Sequence, residues 1–154
     1  METTVTTIPF MCEIPEDQKR LLELKYSVYC DAINDKWCYL IVDNNNKKTI
    51  VKGSDTSNDA DRLKLIAILN SFENIYSNHD EQLHNHVNIE VYTDSVYCTN
   101  VLREWVFKWV SNNFDKRPNA DLLPAAHTVM NQHKDTISLK WYPTSSINNL
   151  KMFN

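Results

Sequence analysis

Glycine occurs once in the 154 residues, at Gly53, and that shortage constrains the chain more than any other feature. A dinucleotide fold built on G-x-G-x-x-G, or a P-loop built on G-x-x-x-x-G-K-[ST], needs several glycines so that backbone can close around phosphate. Neither motif can be written here, and both classes are excluded. What remains is a chain of one-domain length, 42% apolar and 23% charged, which is neither disordered nor a membrane protein in composition. No apolar run approaches the ~20 residues of a spanning helix.

The N-terminal METTVTTIPFMCEIPEDQ has no basic segment and no continuous hydrophobic stretch, so no signal peptide is expected. Net charge is −4 with a pI near 5.7, which argues against a strongly basic surface and leaves room only for a local basic patch. Cys12, Cys30, Cys38 and Cys98 form no C-x-x-C pair. Buried free thiols are expected for them in preference to disulfides or zinc. The absence of any Asn-x-Ser/Thr sequon favours an intracellular protein, cytoplasmic or nuclear.

Residues 1–24 are polar and acidic, with one helical possibility in Pro15–Leu24, and read as an appendage to the domain at 25–154. From Lys25 the period changes. Tyr26, Val28 and Cys30 alternate with polar neighbours, Trp37–Asp43 and Lys47–Gly53 continue the pattern, and Asn44-Asn45-Asn46 makes a turn between them, which predicts three antiparallel strands. Over Arg62–Tyr76, Leu63, Ile66, Ala67, Leu69 and Ile75 recur at helical spacing, with Leu65, Ile68 and Phe72 broadening the apolar face; this predicts a helix laid on a sheet. Residues 77–86 read as loop, Val87–Thr93 as a strand, Ser95–Val110 as a helix, Asn119–Gln132 as another, and Thr136–Trp141 as a fifth strand. The order β β β α β α α β implies a mixed five-stranded α/β sheet with helices on both faces.

On that scaffold several local sequences resemble the ribonuclease H family, in order, across residues 25–142. Tyr26–Asp31, ending in Cys30-Asp31-Ala32, is similar to the family's first strand and its Asp-Gly-Ser. Arg62-Leu63-Lys64-Leu65 is similar to the Arg-Met-Glu-Leu that opens its first helix, and Tyr92-Thr93-Asp94-Ser95 to its Thr-Asp-Ser. Trp105-x-x-x-Trp109 resembles its paired tryptophans, and Asn119-Ala120-Asp121-Leu122 its Asn-x-Asp-Leu. The resemblance implies phosphodiester hydrolysis by two divalent ions, Mg2+ or Mn2+, held by four carboxylates: in the first strand, the first helix, the end of the fourth strand, and near a C-terminal helix.

Asp31 and Asp94 match two of those positions. Lys64 stands where the helix glutamate belongs, Ala32 replaces the glycine, and WYPTSSINNLKMFN after the last strand contains no acid and is read as lacking the C-terminal helix. An ammonium about 4 Å from a divalent ion is repelled by several kcal/mol at an effective dielectric near ~20. Lys64 could instead form a salt bridge with Asp31 and Asp94. Asp59 and Asp61 lie just upstream and could rescue a metal site, although Asp61 also suits a helix start.

Other clusters carry less. His79-Asp80-Glu81…His84-Asn85-His86 is dense in metal-ligand types but reads as a polar surface loop with no second cluster to complete a site. Cys98 and His127 could be drawn as a dyad, yet Cys98 falls on the buried face of a helix. Trp105 and Trp109 read as packing residues. A residual nucleic-acid groove would use Asn58, Arg62, Lys64, Lys108, Lys116 and Arg117.

The expectation is therefore a catalytically degenerate ribonuclease H-like domain, a binding or scaffolding module in a nucleic-acid-handling assembly, with no cofactor. It would bind hybrid or duplex and a protein partner, and no membrane. One alternative is an active hybrid nuclease using Mg2+ or Mn2+ on Asp31, Asp94 and Asp59 or Asp61; another is a purely protein-binding domain.

Overall fold

The computed structural model describes residues 24–154. Cys12 and nearly all of the expected appendage lie outside that range. Three strands come first: β1 (Leu24–Ile33), β2 (Lys36–Asp43) and β3 (Lys48–Ser54). Helix α1 (Ala60–Ser77) follows, then β4 (Val87–Thr93), α2 (Val96–Asn100), α3 (Val106–Trp109), α4 (Leu123–His133), β5 (Ile137–Trp141) and α5 (Thr144–Asn149). The sheet order is β3-β2-β1-β4-β5. β2 is antiparallel to β1 and β3, while β4 is parallel to β1 and β5. This is the mixed five-stranded sheet that the alternation and the element order predict.

The alternation sends Val28 and Cys30 of β1, Val91 of β4 and Leu139 of β5 to one face. There they meet Leu65, Ile68 and Phe72 of α1 and Leu102 and Val106 from the second helical segment in one cluster. Each fully buried aliphatic or aromatic side chain contributes roughly 1.5–3 kcal/mol. The opposite face carries a smaller cluster, in which Met152 covers Cys38 and Leu40, flanked by Tyr29 and Phe153.

Several boundaries differ from the sequence reading. The segment 77–86, read as loop, contains a 3-10 helix at Glu81–His86. Between α2 and α3 the helix widens into a π turn at Val101–Trp105; residues five apart then share a face, and Val101 and Val106 are both fully buried. The helix predicted to open at Asn119 begins at Leu123 instead. Asn119 adopts a left-handed φ of 61°, and Pro124 sits in the first turn, where its missing N–H costs nothing. Finally, the chain does have a helix after the last strand: α5, six residues of Thr-Ser-Ser-Ile-Asn-Asn with only Ile147 buried.

Turns are made by asparagine. Asn34 and Asn46 take the left-handed φ values of 56° and 63° at the two hairpins, a region asparagine tolerates better than other side chains. Gly53 serves a different need. It lies opposite Trp37 in the β2–β3 register, and a Cβ there would come within 2.1 Å of the Trp37 indole.

Candidate active site

Four side chains from four elements converge where β1 and β4 end. Asp31 leaves β1, Lys64 the second turn of α1, Asp94 the residue after β4, and Thr144 the first residue of α5. The start of α1 is fixed by Asp59, whose carboxylate accepts the backbone N–H groups of Asp61 (2.9 Å) and Arg62 (3.3 Å), a normal N-cap. With the helix so started, Leu63 and Leu65 enter the core and Lys64 reaches across to the strand end.

Lys64 Nζ donates to Asp94 Oδ1 at 2.7 Å, with the two side chains 13% and 6% exposed. Thr144 Oγ1 donates to the other Asp94 oxygen at 2.6 Å. Burial raises the Asp94 pKa, but the Lys64 ammonium and the Thr144 hydroxyl outweigh it and hold the carboxyl below its ordinary value. Burial likewise disfavours the charged Lys64, and Asp94 outweighs that and holds the ammonium above its usual range. Asp31 moves the other way: burial raises its pKa, although the Ala32 N–H and Lys64 oppose the rise. Its Oδ1 accepts that Ala32 N–H at 2.8 Å.

Asp59 and Asp61 are engaged elsewhere. Asp59 caps α1, and Asp61 Oδ1 accepts Ser95 Oγ at 2.8 Å. Ser95 in turn caps α2 by accepting the Cys98 N–H at 3.0 Å. Two divalent ions do not fit the donor set. An ammonium occupies one oxygen of Asp94 and a hydroxyl the other, and no group of three His, Cys, Asp or Glu side chains among the described residues could hold a metal ion.

The basic residues of the expected groove are scattered over separate partners. Arg62 binds Asp121 through both terminal nitrogens at 2.8 Å and Asp55 through Nε at 2.8 Å, and also reaches Asn119 at 3.2 Å. Lys108 pairs with Glu104 one turn away at 2.7 Å. Arg117 stacks 4.5 Å from the Trp109 ring, and Trp109 packs 5.0 Å from Trp105. Asn58 and Lys116 are exposed.

The remaining clusters have local roles. His79 hydrogen-bonds the Tyr26 hydroxyl at 2.6 Å, and His84 the Tyr76 carbonyl at 2.7 Å. Cys98 Sγ faces the Asp61 carbonyl at 3.4 Å, whereas the His127 ring lies against Phe107 and Phe114. Cys30, Cys38 and Cys98 are buried free thiols, and burial pushes the Cys30 thiol up to about 12. No helix among the described residues is long and apolar enough to cross a membrane. Sequence reasoning missed Thr144, because a hydroxyl in a polar run carries no motif.

The sequence model of the family described as RNase H matches residues 24–146. A protein named Ribonuclease H from Treponema denticola is 24% identical over 134 residues, covering 78% of this chain and 82% of its own length. Its namesake from Rhizobium etli is 28% identical over 94 residues, 58% of this chain and 56% of that protein; the match thus spans little more than half of the latter. Among solved structures, LC9-RNase H1, described as a type 1 RNase H with the type 2 active-site motif, superposes with a TM-score of 0.65 at 16% identity, over 90% of this chain and 72% of that one. The foamy viral protease-reverse transcriptase, solved in complex with RNA/DNA hybrid, superposes at 0.57 with 15% identity, over 97% of this chain and 21% of that one. At such identities the likeness to these structures concerns the fold.

Proposed function

The chain belongs to the RNase H family, and on that premise we propose that it is a catalytically degenerate member, a binding or scaffolding module in a nucleic-acid-handling assembly. One observation carries the reading: the Lys64 ammonium sits 2.7 Å from Asp94, inside the cluster where the family resemblance requires a carboxylate. Divalent ions activate water and neutralise the leaving oxygen only if carboxylates leave room for them. Here a fixed cation already neutralises Asp94, and its charge opposes the approach of another.

Loss of the ion site leaves the sheet and its core untouched, because the core lies on side chains that the site does not use. The ligand best supported is the family's own, an RNA–DNA hybrid or a duplex, held through backbone charge without magnesium. A protein partner in the same assembly is part of the proposal.

The test is a pair of measurements on wild type and Asp94→Asn: calorimetric titration of magnesium and manganese, and cleavage of a labelled RNA–DNA hybrid. Equal, weak metal binding in both proteins and intact hybrid are expected, together with hybrid binding in EDTA that weakens as salt rises. Magnesium-dependent cleavage that disappears in Asp94→Asn would falsify the proposal and make Asp61 the next residue to substitute.

A further inference from the structure

The second face of the sheet has a composition the core face lacks. Cross-strand pairs share a face, and the registers place Lys25, Lys36, Lys48, Lys52 and Lys140 on this one. They are all the lysines of the five strands, and all are exposed. Within the strands two carboxylates share the face, Asp31 and Glu90; Glu90 is paired with Lys140 at 2.9 Å, and Lys36 with Asp35 of the β1–β2 turn at 3.5 Å. A chain of net charge −4 thus presents one sheet face of net positive charge.

In the middle of that face stand three tyrosines. Tyr29 and Tyr92 are paired across β1 and β4, with rings stacked at 4.9 Å and 15°. Tyr142 meets both edge-on, at 5.4 Å and 5.6 Å. All three are half-buried, and Tyr29 also flanks the Met152 cluster. One register step along, Ser27, Glu90 and Ser138 line a cleft of about 490 Å3 whose wall also includes Lys25, Asp43 and Asp135.

We propose that this face binds single-stranded nucleic acid, with bases stacked on the Tyr29–Tyr92–Tyr142 cluster and the phosphate backbone following the lysines. Aromatic rings set in a cationic surface suit unpaired bases, whose π-faces are accessible, and not the closed stack of a duplex. Tyrosine is common in protein interfaces too, but lysine is depleted there, and five lysines on one face favour a phosphate backbone. The face adjoins the Lys64–Asp94–Thr144 cluster through Asp31, but stacking on the tyrosines uses none of that cluster's side chains, so the proposal stands whether or not the cluster cleaves.

The test is fluorescence anisotropy of labelled twelve-residue oligo(dT) and oligo(U) with the full chain in EDTA, over a salt series. Tyr92→Ala and Tyr142→Ala are expected to weaken binding about tenfold each, while Tyr92→Phe and Tyr142→Phe, which keep the stacking plane, retain it. Tyr142→Leu keeps apolar volume without the plane and should lose as much as the alanine variant, which separates stacking from a folding defect. The double variant Lys48→Gln/Lys52→Gln should lower the slope of log affinity against log salt by roughly 1.4, about 0.7 for each phosphate no longer neutralised. Single-strand binding should be the same in EDTA and in millimolar magnesium, whereas hybrid cleavage requires the metal, so failure of the degenerate-nuclease reading leaves this result intact. The proposal is overturned if no oligonucleotide binds, if Lys116→Gln/Arg117→Gln abolishes binding while the tyrosine variants do not, or if self-association buries the tyrosines and nucleic acid fails to compete.

Discussion

Lys64 and Asp94 form the kind of ion pair whose worth depends on what is removed. Both side chains are largely buried, so deleting one partner strands the other charge away from water. Lys64→Met is therefore expected to destabilise the fold by about 3 kcal/mol, measured by urea denaturation. Lys64→Met combined with Asp94→Asn should recover much of that loss, because no buried charge is then left over. The pH dependence has two opposing parts. Asp94, with its pKa held down, contributes stability above the unfolded carboxylate value of roughly 3.9, and that contribution is lost as pH falls through the lower folded value. Asp31, with its pKa raised, favours the fold when protonated, and its contribution is lost as pH rises through its folded value. Denaturation between pH 3 and 6 should therefore show Asp94→Asn losing less stability in acid than wild type. Asp31→Asn should lose the gain that wild type makes as Asp31 protonates. The sequence motifs delivered Asp31, Asp94 and the intruding Lys64, because charged residues at strand ends and helix starts stand out in one dimension. Thr144 was invisible there, and so was the pairing of Arg62 with Asp121, 59 residues away.

Among the elements, the strands were the most legible, since a two-residue alternation with one face buried leaves little freedom of register. The helix ends were not. A left-handed Asn119 and a proline in the first turn shift α4 by four residues, and the polar run of α5 gives no amphipathic signal. The β2–β3 edge holds a more local lesson. Gly53, read from the sequence as the last residue of a strand, lies within β3 and makes room for an indole. Gly53→Ala should cost about 1–3 kcal/mol by overpacking, and the same change in a Trp37→Val background should cost clearly less. A double-mutant cycle by thermal or chemical denaturation measures the difference; equal costs in both backgrounds would place the origin in the backbone instead.

For the whole molecule, one sheet separates two surfaces. One face is sealed by helices into the core, and the other carries the exposed strand lysines and three half-buried tyrosines beside the small Met152 cluster, with the Lys64–Asp94 cluster at the boundary. A fold whose carboxylates rely on ions from solution has a stability that tracks the concentration of those ions, rising with supply and falling with a chelator. Lys64 is a counterion attached by a covalent bond. It cannot be dialysed away or captured by EDTA, and no change in cellular magnesium alters its occupancy. On the proposed reading, the melting temperature should accordingly stay constant from EDTA through millimolar magnesium.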